Sequence, residues 1–493
     1  MSLLEYYNYK TRTLILPNDF KDELFYNVPE DTLIITFNSS SNFNKKIGHI
    51  GCDDVNCPHN LPNMTHLTLG NNFNQTIDNL PSSLTNLTLG SSFNQTVDNL
   101  PKSLVYLEFG NSFNQQVDNL PASLIHLEFG NSFNQQVDNL PASLIYLEFG
   151  NDFDKPVDNL PKYLTTLSLG DDFNQMVDNL PNTLTHLIFG SEFNQLVNSL
   201  PENLTHLTFG KYFDKPIENL PKKILYLCLC NDVNYQNNLP NTITKLFLMD
   251  DFDKSIDKLP DSITKLFLGN RFNQSIDKLP ASLTELTLGL SFDKSLEKLP
   301  ETVTTLRLNR NIVYDNLPNS IKKLIFGSYF NKPVDNLPKD LIQLSFGRLF
   351  NQPVDNLPKN LRNLSFSGSF NQSVDNLPKN LTHLHFGNNF NQNIDNLPNS
   401  IKQLTLSTDF NKKINKYPDS LNILTIFSES IKYQDILPPL KILKITFKEY
   451  STCVSNIPFH IEKILITGEH HLKYLKKIPF GCKVYSFGSV ELI

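Results

Sequence analysis

The side chains most able to do chemistry in this chain recur at twenty-residue intervals. Three successive segments place an aromatic residue two positions before a glutamate, at Tyr106–Glu108, His126–Glu128 and Tyr146–Glu148. Residues two apart on a strand share one face, so this spacing predicts an aromatic column beside an acidic column. Exposed aromatic residues mixed with charge are typical of anchors in protein–protein interfaces.

The same positions further along the chain carry more aromatic residues and, beside Tyr226, Cys228; they then turn basic at Arg307, Lys322 and Lys323. Strand propensity alone also favours Tyr, Phe and Thr on an open sheet, so this alternative stays open. We predict a binding face made of Tyr106, Glu108, His126, Glu128, Tyr146, Glu148, His186, His206, Tyr226, Phe247 and Phe267.

Metal binding is the second chemistry to consider. His186 and His206 supply only two ligands, and Cys52, Cys57 and His59, with His49 nearby, are more typical of a structural loop than of a four-ligand zinc site. An acidic column (Asp78, Asp98, Asp118, Asp138, Asp158, Asp178) could supply oxygen ligands to calcium, but its DNLP motif favours a turn-capping role. We predict no metal site and no cofactor.

Catalytic motifs are not apparent. The sequence has no glycine-rich phosphate loop, no nucleophile elbow and no HExxH motif. We therefore predict a non-enzymatic protein.

The elements that position these residues follow from the repeat. From Pro81 to Pro221 a proline stands at every twentieth position, which indicates a solenoid. Within one coil, Leu87-Thr88-Leu89 alternates with the period of a strand, and Gly90 allows a sharp turn. Coils are expected to stack with their short strands parallel and about 4.8 Å apart.

Two further columns are predicted to hold the stack together. The phenylalanine that recurs after the glycine turn, as at Phe93, Phe113 and Phe133, is expected to form a buried aromatic ladder. The asparagine that follows it, as at Asn94 and Asn114, is expected to satisfy backbone groups in a turn or to pair with its neighbours.

The run F-N-Q-x-[VI]-D-N-L-P followed by x-S-L-x-x-L-x-[LF]-G, as in Phe113–Gly130 and Phe133–Gly150, resembles the FNIP repeat. The resemblance implies a mainly β, leucine-rich-repeat-like solenoid with one parallel β-sheet face, here of about twenty-two coils of ~20 residues. It also implies a source among social amoebae or the giant viruses that infect them. Some family members carry an F-box and resemble substrate receptors of ubiquitin ligases, but no F-box is apparent before the repeat-like segment at Leu14–Pro29.

The repeat divides the chain into three predicted parts. Residues 1–61 are expected to be degenerate coils and a cap, residues 62–418 the repeat solenoid, and residues 419–493 degenerate β-rich coils and a second cap. The net charge of −7 argues against a nucleic-acid partner. No apolar run is long enough for a membrane span and no signal peptide is apparent, so a cytoplasmic or nuclear protein is expected, in the host cytoplasm if it is viral.

Non-enzymatic binding of a protein partner on the exposed sheet face is the function that this pattern favours. Two alternatives stay open: a structural or self-assembling spacer, and a substrate-receptor-like adaptor for ubiquitin ligation without its own F-box. A carbohydrate-binding face is a third possibility, because tyrosine rings stack on sugars.

Overall fold

The computed structural model describes residues 6–16, 28–29, 31–38, 40–41, 63–78, 80–230, 239–249, 251–310, 316–431, 437–438, 440–448, 451, 453–455 and 457–487. It divides into two compact units, Met1–Phe252 and Asp253–Ile493. Each unit is a stack of short parallel strands, and helix is almost absent from the described residues. Cys52, Cys57, His59 and His49 lie outside the described residues.

The first unit starts with an antiparallel pair, β1 and β2, in which Tyr7 lies opposite Leu14. From β2 onward each strand pairs in parallel with the next, as where Leu87 lies beside Leu107. The thirteen described strands are β1 (Tyr7–Asn8), β2 (Thr13–Leu16), β3 (Ile34–Phe37), β4 (His66–Thr68), β5 (Asn86–Thr88), β6 (Tyr106–Glu108), β7 (His126–Glu128), β8 (Tyr146–Glu148), β9 (Thr166–Ser168), β10 (His186–Ile188), β11 (His206–Thr208), β12 (Tyr226–Leu229) and β13 (Lys245–Leu248).

The second unit repeats this parallel arrangement, with Leu344 beside Leu364 and Leu364 beside Leu384. Its described strands are β14 (Lys265–Leu268), β15 (Glu285–Leu288), β16 (Thr305–Leu308), β17 (Lys323–Phe326), β18 (Gln343–Ser345), β19 (Asn363–Ser365), β20 (His383–His385), β21 (Gln403–Thr405), β22 (Ile423–Phe427), β23 (Ile442–Thr446), β24 (Lys463–Ile466) and β25 (Lys483–Ser486). One helical turn, α1 (Ser428–Ile431), follows β22, and a 3-10 helix spans Glu469–Tyr474.

Each coil enters its strand through a turn that the proline begins. The Leu84 amide donates to the Pro81 carbonyl at 3.0 Å, and the proline has no amide hydrogen that would need a partner of its own. The strand then alternates, with Leu87 and Leu89 buried and Asn86 and Thr88 on the other face. The alternation predicted from the sequence is confirmed.

The predicted phenylalanine ladder is confirmed. Phe93, Phe113 and Phe133 are fully buried, and their rings are stacked with centroids 6.1 and 6.0 Å apart. A second buried ring at the end of the strand joins the ladder, since Phe129 lies 3.7 Å from Phe133. The return segment is therefore fixed to the strand within each coil and to the same segment of the next coil.

The glycine after each strand is needed for a reason other than the predicted one. None of the described glycines at the repeat position has a positive φ, and Gly368, which has one, follows Ser367 at that position. These turns therefore do not require the left-handed region. A Cβ atom built on Gly130 would instead lie 2.3 Å from the carbonyl oxygen of Gly110. The coils pack backbone to backbone at this point, which leaves no room for a side chain.

The asparagine column forms the predicted ladder. The Asn94 side-chain oxygen accepts the backbone amide of Asn114 at 2.9 Å and the side-chain amide of Gln115 at 3.0 Å. Where Asp154 replaces the asparagine, its carboxylate accepts the Asn174 amide in the same way. Each coil thus satisfies polar groups of the next one.

The acidic column has a different role from the predicted cap of its own turn. The Asp118 carboxylate accepts the side-chain amide of Asn139 in the following coil at 3.0 Å, and Asp98 accepts that of Asn119 at 2.9 Å. These carboxylates therefore link successive coils along the surface.

Candidate functional site

The predicted aromatic and acidic columns lie on three adjacent strands of the first unit. In β6, β7 and β8, Tyr106 lies beside His126 and His126 beside Tyr146, while the three glutamates form the neighbouring row. The central leucine of each strand is fully buried. Because side chains alternate along a strand, burying these leucines places the aromatic and acidic side chains on the opposite face.

The aromatic side chains form one continuous stack. The ring centroids of Tyr106 and His126 are 4.6 Å apart, and those of His126 and Tyr146 are 4.0 Å apart with the two rings nearly parallel. The three side chains are half-buried. Each ring contributes apolar area and the stacking itself is worth about 0.5–1.5 kcal/mol per aromatic pair.

Each ring is also held by the glutamate of its own strand. The Tyr106 hydroxyl donates to Glu108 Oε2 at 3.0 Å, and the Tyr146 hydroxyl donates to Glu148 in the same way. His126 Nε2 lies 2.5 Å from Glu128 Oε1. The rings are therefore fixed in orientation before any partner arrives, which lowers the entropy that binding would cost.

These contacts keep the two phenols protonated. Burial raises the pKa of Tyr146 well above its ordinary value, and the hydrogen bond to Glu148 and its charge raise it further. Burial and the charge of Glu108 do the same for the pKa of Tyr106. Both tyrosines consequently remain hydrogen-bond donors to their carboxylates well into the alkaline range.

A second aromatic group follows after the small side chains of β9. The imidazole rings of His186 and His206 are stacked 4.2 Å apart, and His206 lies 5.6 Å from the Tyr226 ring. Thr205 Oγ1 donates to the Thr185 carbonyl at 3.1 Å and lies 3.0 Å from His206 Nδ1. Because the hydroxyl hydrogen is used for the carbonyl, His206 Nδ1 is the donor of this second bond, and its Nε2 is left as an acceptor.

The remaining predicted residues extend this group only in part. Tyr226 and Phe247 are in contact, with centroids 5.0 Å apart, and both are half-buried. Phe267 belongs to the second unit, on β14. Cys228, expected on the exposed face, is buried instead at 6 % exposure. The structure thus brings together six residues around His126 and four around His206.

Sequence reasoning missed a groove that runs beside the strands. In the first unit it has a volume of about 800 Å³, and its lining includes Ile145, Tyr163 and Thr185, with Lys223 as its one charged residue. In the second unit the corresponding groove, of about 810 Å³, is lined by Arg362, Lys402 and nine further residues. The sequence did contain a signal for the charged groove: the residue four positions after the proline is basic at Lys322, Arg362 and Lys402.

Metal ligands do not cluster in the part of the chain that the structure describes: it has no group of three or more His, Cys, Asp or Glu side chains placed to hold an ion. Within the same residues, no helix is long and apolar enough to cross a membrane.

The parallel stack of short Leu-x-Leu strands, each followed by a glycine turn and a buried phenylalanine, defines a leucine-rich-repeat-like solenoid. The family model of the FNIP repeat matches residues 58–92, 73–112, 93–132, 113–152, 153–192, 193–232, 272–311, 309–349, 350–389 and 370–409. These segments cover more than half of the chain, which therefore belongs to the FNIP repeat family.

A solved structure supports the same fold. The chain is 36% identical to CroV588, a giant-virus protein whose structure is described as a novel circular LRR protein, with a TM-score of 0.61. The match covers 96% of this chain and 78% of CroV588.

Two bacterial structures are similar at lower levels. YopM from Yersinia enterocolitica is 21% identical with a TM-score of 0.36, over 86% of this chain and 87% of its own. An internalin from Listeria monocytogenes is 16% identical with a TM-score of 0.34, and the match covers 62% of this chain and 88% of the internalin chain. No curated protein matches the chain.

Proposed function

We propose that this protein is a non-enzymatic scaffold that binds a protein partner on the exposed sheet face of its first unit. The observation that supports this most is the stack of Tyr106, His126 and Tyr146, in which every ring is fixed by a glutamate of its own strand. Rigid aromatic side chains with one polar end are the residue types that dominate the binding energy of protein interfaces.

The row of glutamates beside the aromatic stack indicates which charge the partner's surface carries. The carboxylates of Glu108, Glu128 and Glu148 stand on adjacent strands, about 4.8 Å apart, and repel one another. Each carboxylate has unused lone pairs after accepting the bond from its ring, even Glu108, which also accepts one from the Thr88 hydroxyl at 3.3 Å. A partner that brings arginine or lysine side chains to this row would relieve the repulsion, so the proposed partner carries a basic patch.

Affinity capture from amoeba lysate, read by mass spectrometry, tests the proposal. The site variant is Tyr106→Ala, His126→Ala, Tyr146→Ala, and the matched control is Asn111→Ala, Asn131→Ala, Asn151→Ala, which truncates exposed side chains in the turns that follow the same strands. A partner retained by the wild type and the control but lost by the site variant supports the proposal. Partners retained by all three chains place the binding site elsewhere.

The captured partner is then measured directly. Truncation of a central aromatic anchor typically costs more than ~2 kcal/mol, or about thirtyfold in Kd. Reversal of Glu108, Glu128 and Glu148 to lysine is expected to weaken binding further and to remove most of its salt dependence. Unchanged affinity after this reversal would contradict a basic partner surface. If no partner is captured at all, light scattering tests the spacer alternative, which requires association that increases with concentration.

A further inference from the structure

The groove of the second unit lies in a locally basic segment of the chain. Residues 316–402 contain nine lysine and arginine residues against five aspartates and no glutamate, whereas residues 80–230 contain seven basic and sixteen acidic residues. A protein with an overall charge of −7 therefore has a locally basic segment where this groove lies.

One wall of the groove is a row of residues that stand four positions after each proline, here called the fourth-position row. Backbone bonds of 2.8–2.9 Å stack its members directly, from the Ile342 amide to the Lys322 carbonyl and onward to Arg362, Thr382 and Lys402. In the earlier coils, from Thr85 to Thr304, every member of this row is uncharged: Thr85, Val105, Ile125, Ile145, Thr165, Thr185, Thr205, Leu225, Thr244, Thr264, Thr284 and Thr304.

In this part of the row, positively charged and uncharged residues alternate. Lys322, Arg362 and Lys402 are cationic, and Ile342 and Thr382 separate them. Neighbouring parallel strands are about 4.8 Å apart, so successive cations lie about 9.6 Å apart along the stack. The opposite wall, two positions after each proline, is mostly neutral and polar and includes Asn360, Asn380 and Ser400.

Two of these cations lack a partner within the described residues. The Lys322 ammonium lies 3.2 Å from Asp340, the one acidic side chain that lines the groove. Arg362 and Lys402 make no side-chain hydrogen bond or ion pair in the described part of the chain. By contrast, the Lys265 ammonium of β14 is paired with Glu285 at 2.7 Å.

We propose that this groove binds an acidic peptide in the polyproline II conformation, with an acidic residue at every third position. A polyproline II helix has three residues per turn and rises ~3.1 Å per residue, so such residues lie on one face about 9.3 Å apart. This matches the spacing of the cations. An extended β-strand would repeat its side chains on one face every ~6.7 Å and would miss alternate cations.

The remaining groups in the groove suit such a ligand. Ile342 and Thr382 lie between the cations and offer small apolar surfaces to the intervening residues of the peptide. The amides of Asn360 and Asn380 stand opposite, and Asn380 already donates to the Lys359 carbonyl at 3.0 Å, so its orientation is set. This site is independent of the aromatic stack of the first unit and of the partner proposed for it.

Fluorescence anisotropy with the full chain tests the proposal. The probe is a labelled (Glu-Pro-Pro)5 peptide, and a second peptide places the same five glutamates at every fourth position. The site variant is Arg362→Glu, Lys402→Glu, and the matched control is Lys332→Glu, Arg348→Glu, which makes the same change in net charge in turns outside the groove lining. Circular dichroism shows that each variant is folded.

We expect the site variant to bind the peptide at least tenfold more weakly than the wild type, and the control to change Kd less than twofold. The peptide with the wrong spacing is expected to bind at least fivefold more weakly than the matched one. Equal loss in both variants, equal binding of both peptides, or no binding at millimolar peptide would overturn the proposal. Tighter binding of polyuridylate, sensitive to the same variant, would overturn it in favour of a nucleic-acid site.

Discussion

Truncation of one ring in the phenylalanine ladder should open the solenoid locally. Phe133 is fully buried, stacks on Phe113 and Phe153 at about 6 Å, and lies 3.7 Å from Phe129. Replacing a buried phenylalanine by alanine typically costs about 3–5 kcal/mol, through lost transfer free energy and the cavity that remains. The substitution Phe133→Ala is therefore expected to lower the free energy of opening of its own coil and its two neighbours by this amount.

Hydrogen exchange resolved by peptide measures the effect. Since ~1.4 kcal/mol is a factor of ten, amides in the coils around residues 113–153 should exchange from about a hundredfold to several thousandfold faster than in the wild type. Distant coils, such as those around residues 344–384, should be unchanged, because each coil of a solenoid contacts only its neighbours. Phe459→Ala is the matched control, since that ring is 87 % exposed.

Two outcomes would refute this reasoning. Acceleration spread evenly along the chain would show that the solenoid opens as one cooperative unit. Acceleration below about fivefold near residue 133 would show that the phenylalanine ladder contributes little to stability. The backbone hydrogen bonds between coils would then hold the stack together without it.

Three further predictions concern single side chains. Burial, and after it the charge of His186, lowers the pKa of His206, so the neutral form of His206 favours the folded state. This stabilisation should be complete above pH 6.5 and should be lost as the pH falls through the folded-state pKa. NMR titration of His186→Ala should show a higher pKa for His206. Gly130→Ala should lower the denaturant midpoint, with a loss of about 1–3 kcal/mol in unfolding free energy, because its Cβ would meet the Gly110 carbonyl oxygen. The Tyr146 phenol should ionise above the pH typical of a free tyrosine, as should that of Tyr106, so absorbance at alkaline pH should show a set of late phenolates from which Tyr146→Phe removes one.

The fold follows from the sequence to an unusual extent because the repeat states each structural constraint many times. The burial of Leu87, Phe93 and Val97 could be read from period and residue type alone, and all three are buried. One coil would have been ambiguous, since short apolar runs fit strands and helices equally well. Repetition removed the ambiguity, because stacking requires the same residue type at the same position in each coil.

Contacts between coils were harder to predict. The sequence places Asp118 in a turn motif, but its partner is the Asn139 side chain of the next coil, 21 residues away. The reason for Gly130 was likewise hidden, because the atom that excludes a side chain belongs to Gly110. Both depend on the lateral offset between coils, which is a property of the stack and has no local signature.

The candidate site was predicted as a face but not as a set of bonded groups. The spacing of Tyr106 and Glu108 gave their common face, whereas their hydrogen bond depends on side-chain rotamers. The predicted face also included one residue too many, because the alternation of the strand places Cys228 on the exposed side but does not show that it is buried there. The small side chains of β9 separate the group around His126 from the group around His206. This separation can be seen in the sequence only after the strands have been aligned.

The asparagine ladder makes successive junctions between the regular coils chemically alike. Asn94 accepts the amide of Asn114, Asn114 accepts that of Asn134, and neither bond involves any residue beyond the next coil. Removal of twenty consecutive residues therefore leaves two ends that fit each other as the originals did. Chain length in such a protein can therefore change by whole coils, while the flanking coils and the surfaces they carry stay intact.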